Sequence, residues 1–432
     1  MGLVAKRAAL IDTENAFKVG PYIRQIEEQG KKVIKCNLGE PDFPVPHFIK
    51  EEVKRQIDLD NTHYCDPQGI LPLRKAVAKQ LSDTRGIQAT PERVVVFPGA
   101  KPPIGFCQQT YCDPGDEVVY PSPGFPIYES FIAYVGAKPV PVHLEEERGF
   151  SLSGKELSSL LTKRSKLIYL NFPSNPTGGV ASKGQLQDIA QVIRDRCSDE
   201  VRVFSDEVYE NILFDGSQHH SIISFPGMEK MTILVSGASK SFSWTGGRIG
   251  WALFPTAQEA DLFRTLNINY FSCIPAYNQE GARLAVESPQ SREAVQEMVR
   301  VFQERRDLVV KGLNAIDGVR CQTPKGAFYV FPNIAGVCKN LGIMEGYASL
   351  PPKVKERTSP STLFQMFLLF EYQVATLDRK SFGRIGTEQL HYLRLSIATE
   401  TESLREGVKR FTLAAQDRKG FGLFLSRGEH LV

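Results

Sequence analysis

The sequence contains no C-x-x-C pair, no cluster of histidines and no apolar run near the ~18 residues a membrane-spanning helix requires. Each absence removes a class of protein. Its eight cysteines, Cys36, Cys65, Cys107, Cys112, Cys197, Cys273, Cys321 and Cys338, are scattered, so neither a metal site nor a disulfide framework is expected. They read as reduced thiols of a cytoplasmic protein. Met1 to Arg7 lacks the long apolar stretch of a secretory signal, and Lys6 stands where myristoylation of Gly2 would call for serine or threonine. The most apolar segment, Leu363 to Tyr372, is long enough only for a buried helix. The net charge of +3 is spread along the chain with no basic face or tail, so neither nucleic acid nor a membrane is an expected partner. There is no internal repeat.

What is present is the composition of a globular protein, 42% hydrophobic and 23% charged. At 432 residues it is too long for one ordinary core, which implies two or three domains, or one large domain with a smaller companion. Ala16 to Glu28 reads as a helix ended by Gly30, followed by a connector in which Gly39, Pro41, Pro44 and Pro46 rule out regular structure. From Pro46 onward amphipathic helices alternate with short apolar runs. Leu73, Val77 and Leu81, and again Leu186, Ile189 and Ile193, recur at helical spacing. Between the helices lie Val94 to Phe97, Glu117 to Tyr120, Leu167 to Leu170, Val201 to Phe204, Thr232 to Val235 and Ile249 to Phe254. Such a pattern predicts an α/β protein with a mostly parallel sheet covered on both faces. Beyond residue 255 the chain reads as helical through Val286 and from Ser291 to Leu313. A second alternating region, Gly318 to Pro332 and Tyr392 to Ile397, follows. Ala335 to Thr358 reads as a loop, and the tail from Asp417 carries no assignment.

Parallel sheets bind ligands at the carboxyl ends of their strands. Here those ends present Pro98-Gly99-Ala100-Lys101, then Phe125 on a stiff proline loop, then Asn175, then Asp206 with Tyr209, and finally Ser239-Lys240 followed by Arg248. Free backbone N–H groups at a glycine turn entering a helix suit an anion. A lysine among serines and an arginine suits a covalent cofactor with a phosphate. Each piece alone has a plainer reading: Asn-Pro starts many turns, a lone aromatic is usually core, and Ser-Lys with a later Gly-Arg is common at surfaces.

Taken in order, the pieces form a recognisable whole. Asn37 to Phe43, Tyr64 to Gly69 with Leu73-Arg74, Asp113 to Asp116, Asn175 to Gly178, Asp206 to Tyr209, Ser239-Lys240 with Arg248, Lys325 to Tyr329 and Leu393 to Ser396 together resemble the class I/II aminotransferases. These are fold-type-I enzymes that use pyridoxal 5′-phosphate. The resemblance implies a large domain, residues 46–315, built on a seven-stranded, mostly parallel sheet. It also implies a small α/β domain, residues 316–432, which the N-terminal segment 1–45 joins. Lys240 would carry the cofactor covalently and move the proton of the substrate Cα. Asp206 would face the pyridine nitrogen, Tyr209 and Asn175 the ring hydroxyl, and Phe125 the ring face. The phosphate would fall to the backbone of Ala100 and Lys101, to Ser239 and to Arg248, with Ser236 as a further contributor. Tyr64 resembles the tyrosine that reaches the phosphate of a neighbouring subunit, which implies a homodimer. Arg394 would pair with the substrate carboxylate, helped by Asn175 and the backbone of Gly39.

The implied activity is transfer of an amino group from an α-amino acid to a 2-oxo acid. Lyase, cyclase or oxidase chemistry on the same fold is the alternative. A cofactor-sensing regulator is a remote one, since the match starts near the N-terminus and leaves no space for a DNA-binding module. Three departures stand out. Gly237 replaces a residue that is a hydroxyl in many relatives. Leu377 to Gly383 is charged where relatives carry Pro-Gly, which points to an unusual substrate or a looser lid. Asn267 to Tyr270 offers amides and a phenol where dicarboxylate-specific relatives present a second arginine, so the sequence gives no ground for aspartate.

Overall fold

A computed structural model describes residues 3–11 and 15–428. Met1 and Gly2, where N-terminal acylation would occur, lie outside them. In chain order the strands are β1 (Ile34–Lys35), β2 (Val94–Phe97), β3 (Glu117–Ser122), β4 (Lys138–His143), β5 (Ser165–Asn171), β6 (Arg202–Asp206), β7 (Thr232–Gly237), β8 (Gly250–Leu253), β9 (Tyr329–Val330), β10 (Val374–Ala375), β11 (Leu377–Asp378) and β12 (Leu393–Ser396). Seven of them form one sheet in the order β2-β8-β7-β6-β5-β3-β4. The pairs among β4, β3, β5, β6 and β7 are parallel; β8 runs antiparallel to both β2 and β7.

β2 shows why the central strands were legible. Its Val-Val-Val-Phe is buried at every position, and β-branched side chains without polar alternation belong to a strand covered on both faces. The covering helices follow the spacing read from the sequence. Helix Lys183–Arg196 buries Leu186, Ile189, Ala190 and Ile193, and Ser182 and Gln185 form a capping box at its start. Helix Leu71–Arg85 buries Leu73, Val77 and Leu81 and stops at Gly86, whose φ of 67° is left-handed.

β4 has no counterpart in the sequence reading. Its Lys-Pro-Val-Pro-Val-His carries prolines at alternate positions, which remove N–H donors and suggest a loop. The strand lies at the sheet edge, paired only with β3, and an edge tolerates a side without donors. Other readings also need correction. Ala335 to Thr358 is not a loop but three short helices, Ala335–Asn340, Ile343–Ser349 and Pro352–Lys355, separated by Gly342 and Pro351. The tail forms helix Arg418–Arg427, capped by the Asp417 side chain and anchored by buried Phe421 and Phe424. Ala16 to Glu28 is broken into Asn15–Lys18 and Gly20–Glu28, the second helix opening on Pro21.

Both chain ends contribute to a second, smaller α/β unit. β1 pairs in parallel with β10, while β11, β12 and β9 form a three-stranded sheet. Ile34 and Cys36 share one apolar core with Phe302, Phe364, Phe411 and Phe421. Helix Pro289–Asn314 supplies Phe302 and also meets Ile212 and Phe214 of the large sheet's flank in that core. Among the described residues no helix is long and apolar enough to cross a membrane.

Candidate active site

The carboxyl ends of β2, β5, β6 and β7 open into a cavity of about 370 Å³. The antiparallel course of β8 completes it. Gly250, the first residue of β8, lies beside Gly237 at the end of β7 and Phe97 at the end of β2. Arg248, two residues earlier, is thereby delivered to the end of the sheet where its neighbours finish.

The cavity wall contains Ala100, Lys101, Phe125, Asn175, Asp206, Tyr209, Ser239, Lys240, Arg248, Gly39 and Arg394. All of the expected site residues except Tyr64 and Ser236 therefore meet in one place. Tyr64 is 88% exposed and absent from this wall. Lys240 lies in the single helical turn Ala238–Ser241 directly after β7, and its Nζ donates to the carbonyl of Gly39 at 2.6 Å. The proline-rich connector is thus packed against the lysine. Arg394, on β12, is 4% exposed and donates to Asn175 Oδ1 at 3.1 Å and to the carbonyl of Asn37. Its guanidinium lies over two rings, 4.5 Å from the centroid of Tyr329 and 5.0 Å from that of Phe382.

Asp206 is buried at the end of β6, and burial pushes its carboxyl up to about 6, against opposing hydrogen bonds from Tyr128 and the backbone of Val208. Tyr128 donates to its Oδ2 at 2.6 Å. Asn171 Nδ2 donates to the Asp206 carbonyl at 3.2 Å, and Asn171 Oδ1 accepts from the backbone N–H of Asn175 at 3.0 Å. Neither Tyr128 nor Asn171 was singled out in the sequence. Asn171 closes a predicted strand and was within reach of the strand-end rule. Tyr128 had only a position one turn beyond Phe125 on helix Pro126–Val135, which a core residue shares.

At the anion end, Lys101 precedes helix Pro102–Tyr111. Pro102 and Pro103 have no N–H, so the donors of this turn are concentrated at Ala100 and Lys101. The Lys101 ammonium lies 5.7 Å from the Phe125 ring and 5.9 Å from that of Phe17. Arg248 adopts a left-handed φ of 53°, a conformation of order 1 kcal/mol or more above the usual regions. It is held there by donation to the carbonyls of Thr245 at 2.8 Å and Pro98 at 2.9 Å.

The missing hydroxyl at Gly237 has a packing cause. A Cβ there would meet Gly250 Cα and the Ile249 carbonyl oxygen, both at 2.9 Å and both backbone. Gly237→Ser should therefore destabilise the fold by about 1–3 kcal/mol, the usual scale of overpacking. Denaturant unfolding checks this, and an unchanged midpoint would contradict it.

Ser236 faces the other way, its hydroxyl donating to Glu210 Oε1 at 2.6 Å, which corrects its expected share in the anion site. Glu210 and Glu207 both receive Arg85, and Glu207 also accepts from Ser205 and pairs with His219. Burial alone would raise the Glu207 carboxyl, yet Arg85 and then His219 hold it down at about 2. The cluster ties helix Leu71–Arg85 to the ends of β6 and β7.

The charged segment Leu377 to Gly383 also departs from expectation, since two of its three charges, on Asp378 and Arg379, are buried. Arg379 is 1% exposed and donates to Ser122 Oγ at 2.9 Å, and the segment's Phe382 is a ring beside Arg394. Asn267 is likewise structural, donating to the carbonyls of Pro67 and Val96 at 3.0 and 2.8 Å.

Comparison with known proteins decides what this constellation belongs to. The family model of aminotransferase class I and II matches residues 31–411. The chain belongs to the class I and II aminotransferases. It is 33% identical over 415 residues to a probable aspartate/prephenate aminotransferase of Aquifex aeolicus, covering 96% of this chain and 99% of that protein. It is 34% identical over 388 residues to an aromatic-amino-acid aminotransferase of Thermococcus litoralis, covering 90% and 92%. The aspartate aminotransferase structure of Rhizobium meliloti superposes with a TM-score of 0.85 at 30% identity, over 95% of this chain and 98% of that one. This aminotransferase has the fold of type I, and its activity is amino-group transfer. The family generally depends on pyridoxal 5′-phosphate.

Proposed function

We propose that this aminotransferase binds pyridoxal 5′-phosphate in the cavity at the strand ends and moves amino groups between an α-amino acid and a 2-oxo acid there. The observation that carries the reading is that Lys240, Asp206 and Arg394, from three different elements, line one cavity. The residues present fit the cofactor. Asp206 is a buried carboxyl with a raised proton affinity, so a cationic ring nitrogen beside it relieves the burial penalty. Gly237 lines the cavity together with Ser239 and Arg248, and Arg248 supplies a planar cation suited to a phosphate. When bound, the cofactor supplies an electron sink for the pair released at the substrate Cα.

The remaining chemistry belongs to side chains. Lys240 would hold the cofactor covalently and, with its amine free, would take the Cα proton and return it as general acid. Asp206 keeps the ring nitrogen protonated. Tyr209 and Asn175 hydrogen-bond the ring hydroxyl, and Phe125 covers the ring face. Ser239, Arg248 and the N–H groups of Ala100 and Lys101 hold the phosphate. Arg394 grips the substrate carboxylate with Asn175 and the Gly39 backbone. The cavity wall also brings the Lys101 ammonium near the rings of Phe17 and Phe125, which suits acidic and aromatic side chains. The names of the relatives, aspartate, prephenate and aromatic-amino-acid aminotransferases, support this range.

The division proposed is a large domain, 46–315, and a small domain, 316–432, joined by segment 1–45. Helix Pro289–Asn314 bridges the two through its shared core. A homodimer with shared sites accounts for Tyr64. Its loop is seated on helix Ala257–Phe271 by the Asn267 to Pro67 bond, next to exposed Ile268, Tyr270 and Phe271, an apolar surface of the kind a partner covers. Free thiols at all eight cysteines support a cytoplasmic location.

A half-reaction screen tests the reading. Cofactor-loaded protein mixed with aspartate, glutamate, phenylalanine or tyrosine should change its visible absorption as the cofactor takes the amino group; no change with any donor would contradict it. Asp206 adds a pH signature. The folded protein holds this proton more tightly than the unfolded chain, so Asp206 withdraws stability as pH rises from about 3.8 through about 6. A bound cation removes that penalty. The gain in melting temperature on adding the cofactor should therefore be larger at pH 7 than at pH 5, and Asp206→Asn should flatten the difference. Equal gains for the wild type at both pH values would contradict the assignment.

A further inference from the structure

Tyr329 has no part in the roles above, yet it touches three of the groups that do. It is 1% exposed and lines the cavity. Its ring lies 4.5 Å from the Arg394 guanidinium. Its hydroxyl is 2.8 Å from the Tyr209 hydroxyl, with the two rings edge to face at 81°. The backbone at Gly39 rests directly on that hydroxyl, because a Cβ there would be 2.1 Å from it. The Gly39 carbonyl is the acceptor for Lys240.

We propose that Tyr329 is a positioning residue for amino-group transfer: its ring seats the arginine that takes the substrate carboxylate, and its hydroxyl donates to Tyr209. The proposal rests on the cofactor reading above. A neutral phenol has one proton to give. Tyr209, buried and held well above its ordinary range first by burial and then by Tyr329, remains neutral. If Tyr209 gives its proton to the ring hydroxyl oxygen of the cofactor, the contact with Tyr329 persists only with Tyr329 as donor. Donors in such a series polarise one another, so the Tyr329 hydroxyl strengthens the bond Tyr209 makes. The aromatic face performs a separate task. It holds a desolvated guanidinium in place, with the Phe382 ring centroid a further neighbour at 5.0 Å. One side chain thereby sets the positions of both the carboxylate grip and the phenol that tunes the cofactor.

The two tasks separate by mutation. Tyr329→Phe keeps the ring and removes the proton, whereas Tyr329→Leu removes both. In the loaded enzyme, the midpoint of the pH titration of the visible absorption should rise in Tyr329→Phe by about half a pH unit, the scale of a weakened hydrogen bond. Its affinity for maleate, a carboxylate that cannot react, should stay within about twofold of the wild type because the ring is retained. In Tyr329→Leu, maleate affinity measured by calorimetry should fall about tenfold with loss of the ring; should that variant not fold, Tyr329→Met takes its place. An unmoved titration in Tyr329→Phe, or wild-type maleate affinity in the ringless variant, overturns the proposal. Arg394→Ala tells this failure from that of the underlying reading. If the wild type takes up no cofactor, or binds maleate as well without Arg394 as with it, both fall. If Arg394→Ala loses maleate while both Tyr329 variants behave as wild type, the Tyr329 proposal alone falls.

Discussion

Lys240→Ala is expected to lower the rate of amino-group transfer by at least about 10⁴-fold, because in the proposed role one residue supplies both the covalent attachment and the proton transfer. The protein should still fold, since Lys240 sits on a short turn whose anchors, Ala238 and Ser241, are buried on their own account. Nor should cofactor affinity vanish, as Ser239, Arg248 and the Ala100 turn do not depend on the amine. Loss of transfer with retained, noncovalent cofactor is thus the specific outcome. Added small amines should restore part of the rate by replacing the missing base. A variant with more than about one hundredth of wild-type activity would contradict the role given to Lys240, a limit set by the smallest usual effect of removing a general base.

Arg394→Ala carries the second large effect. Arg394 is 4% exposed and its guanidinium lies over the Tyr329 and Phe382 rings, so the substrate carboxylate would meet a desolvated, immobilised cation. Truncating one partner of such a pair costs about 2–5 kcal/mol, hence about 10²-fold or more in kcat/KM. The loss should fall mainly on KM and should be similar for every amino donor, because all share the α-carboxylate. Arg394→Lys keeps the charge but not the planar fork and should recover only part. Cofactor uptake should be unaffected. Equal KM values in wild type and Arg394→Ala would remove Arg394 from substrate binding.

Much of this site was legible because its residues sit at strand ends, and the strands announced themselves as apolar runs between periodic helices. β2, β5, β6 and β7 lie within two residues of their expected limits. The signal failed where a local rule was overridden by position in the fold. The prolines of β4 argued against a strand that an edge accommodates. The Gly- and Pro-marked stretch from Ala335 was divided by those residues into short helices rather than unfolded by them. The charged segment Leu377 to Gly383 pointed to an unusual substrate or a looser lid, but its Arg379 is enclosed, with its guanidinium on Ser122 and backbone carbonyls. Tyr128, Asn171 and Tyr329 act through contacts spanning 35 to 120 residues, a range no periodicity records. Gly237 was legible as an oddity, and the reason for it lies in the Gly250 backbone opposite.

The identity of the lysine that carries the cofactor is the point on which the account turns. Borohydride treatment of the loaded enzyme fixes the cofactor to the side chain that bears it, and peptide mapping by mass spectrometry then reads the position. The adduct should be found on the peptide containing Ser239-Lys240-Ser241 and be absent from Lys240→Ala. An adduct on another lysine, Lys101 included, would contradict the assignment of this site.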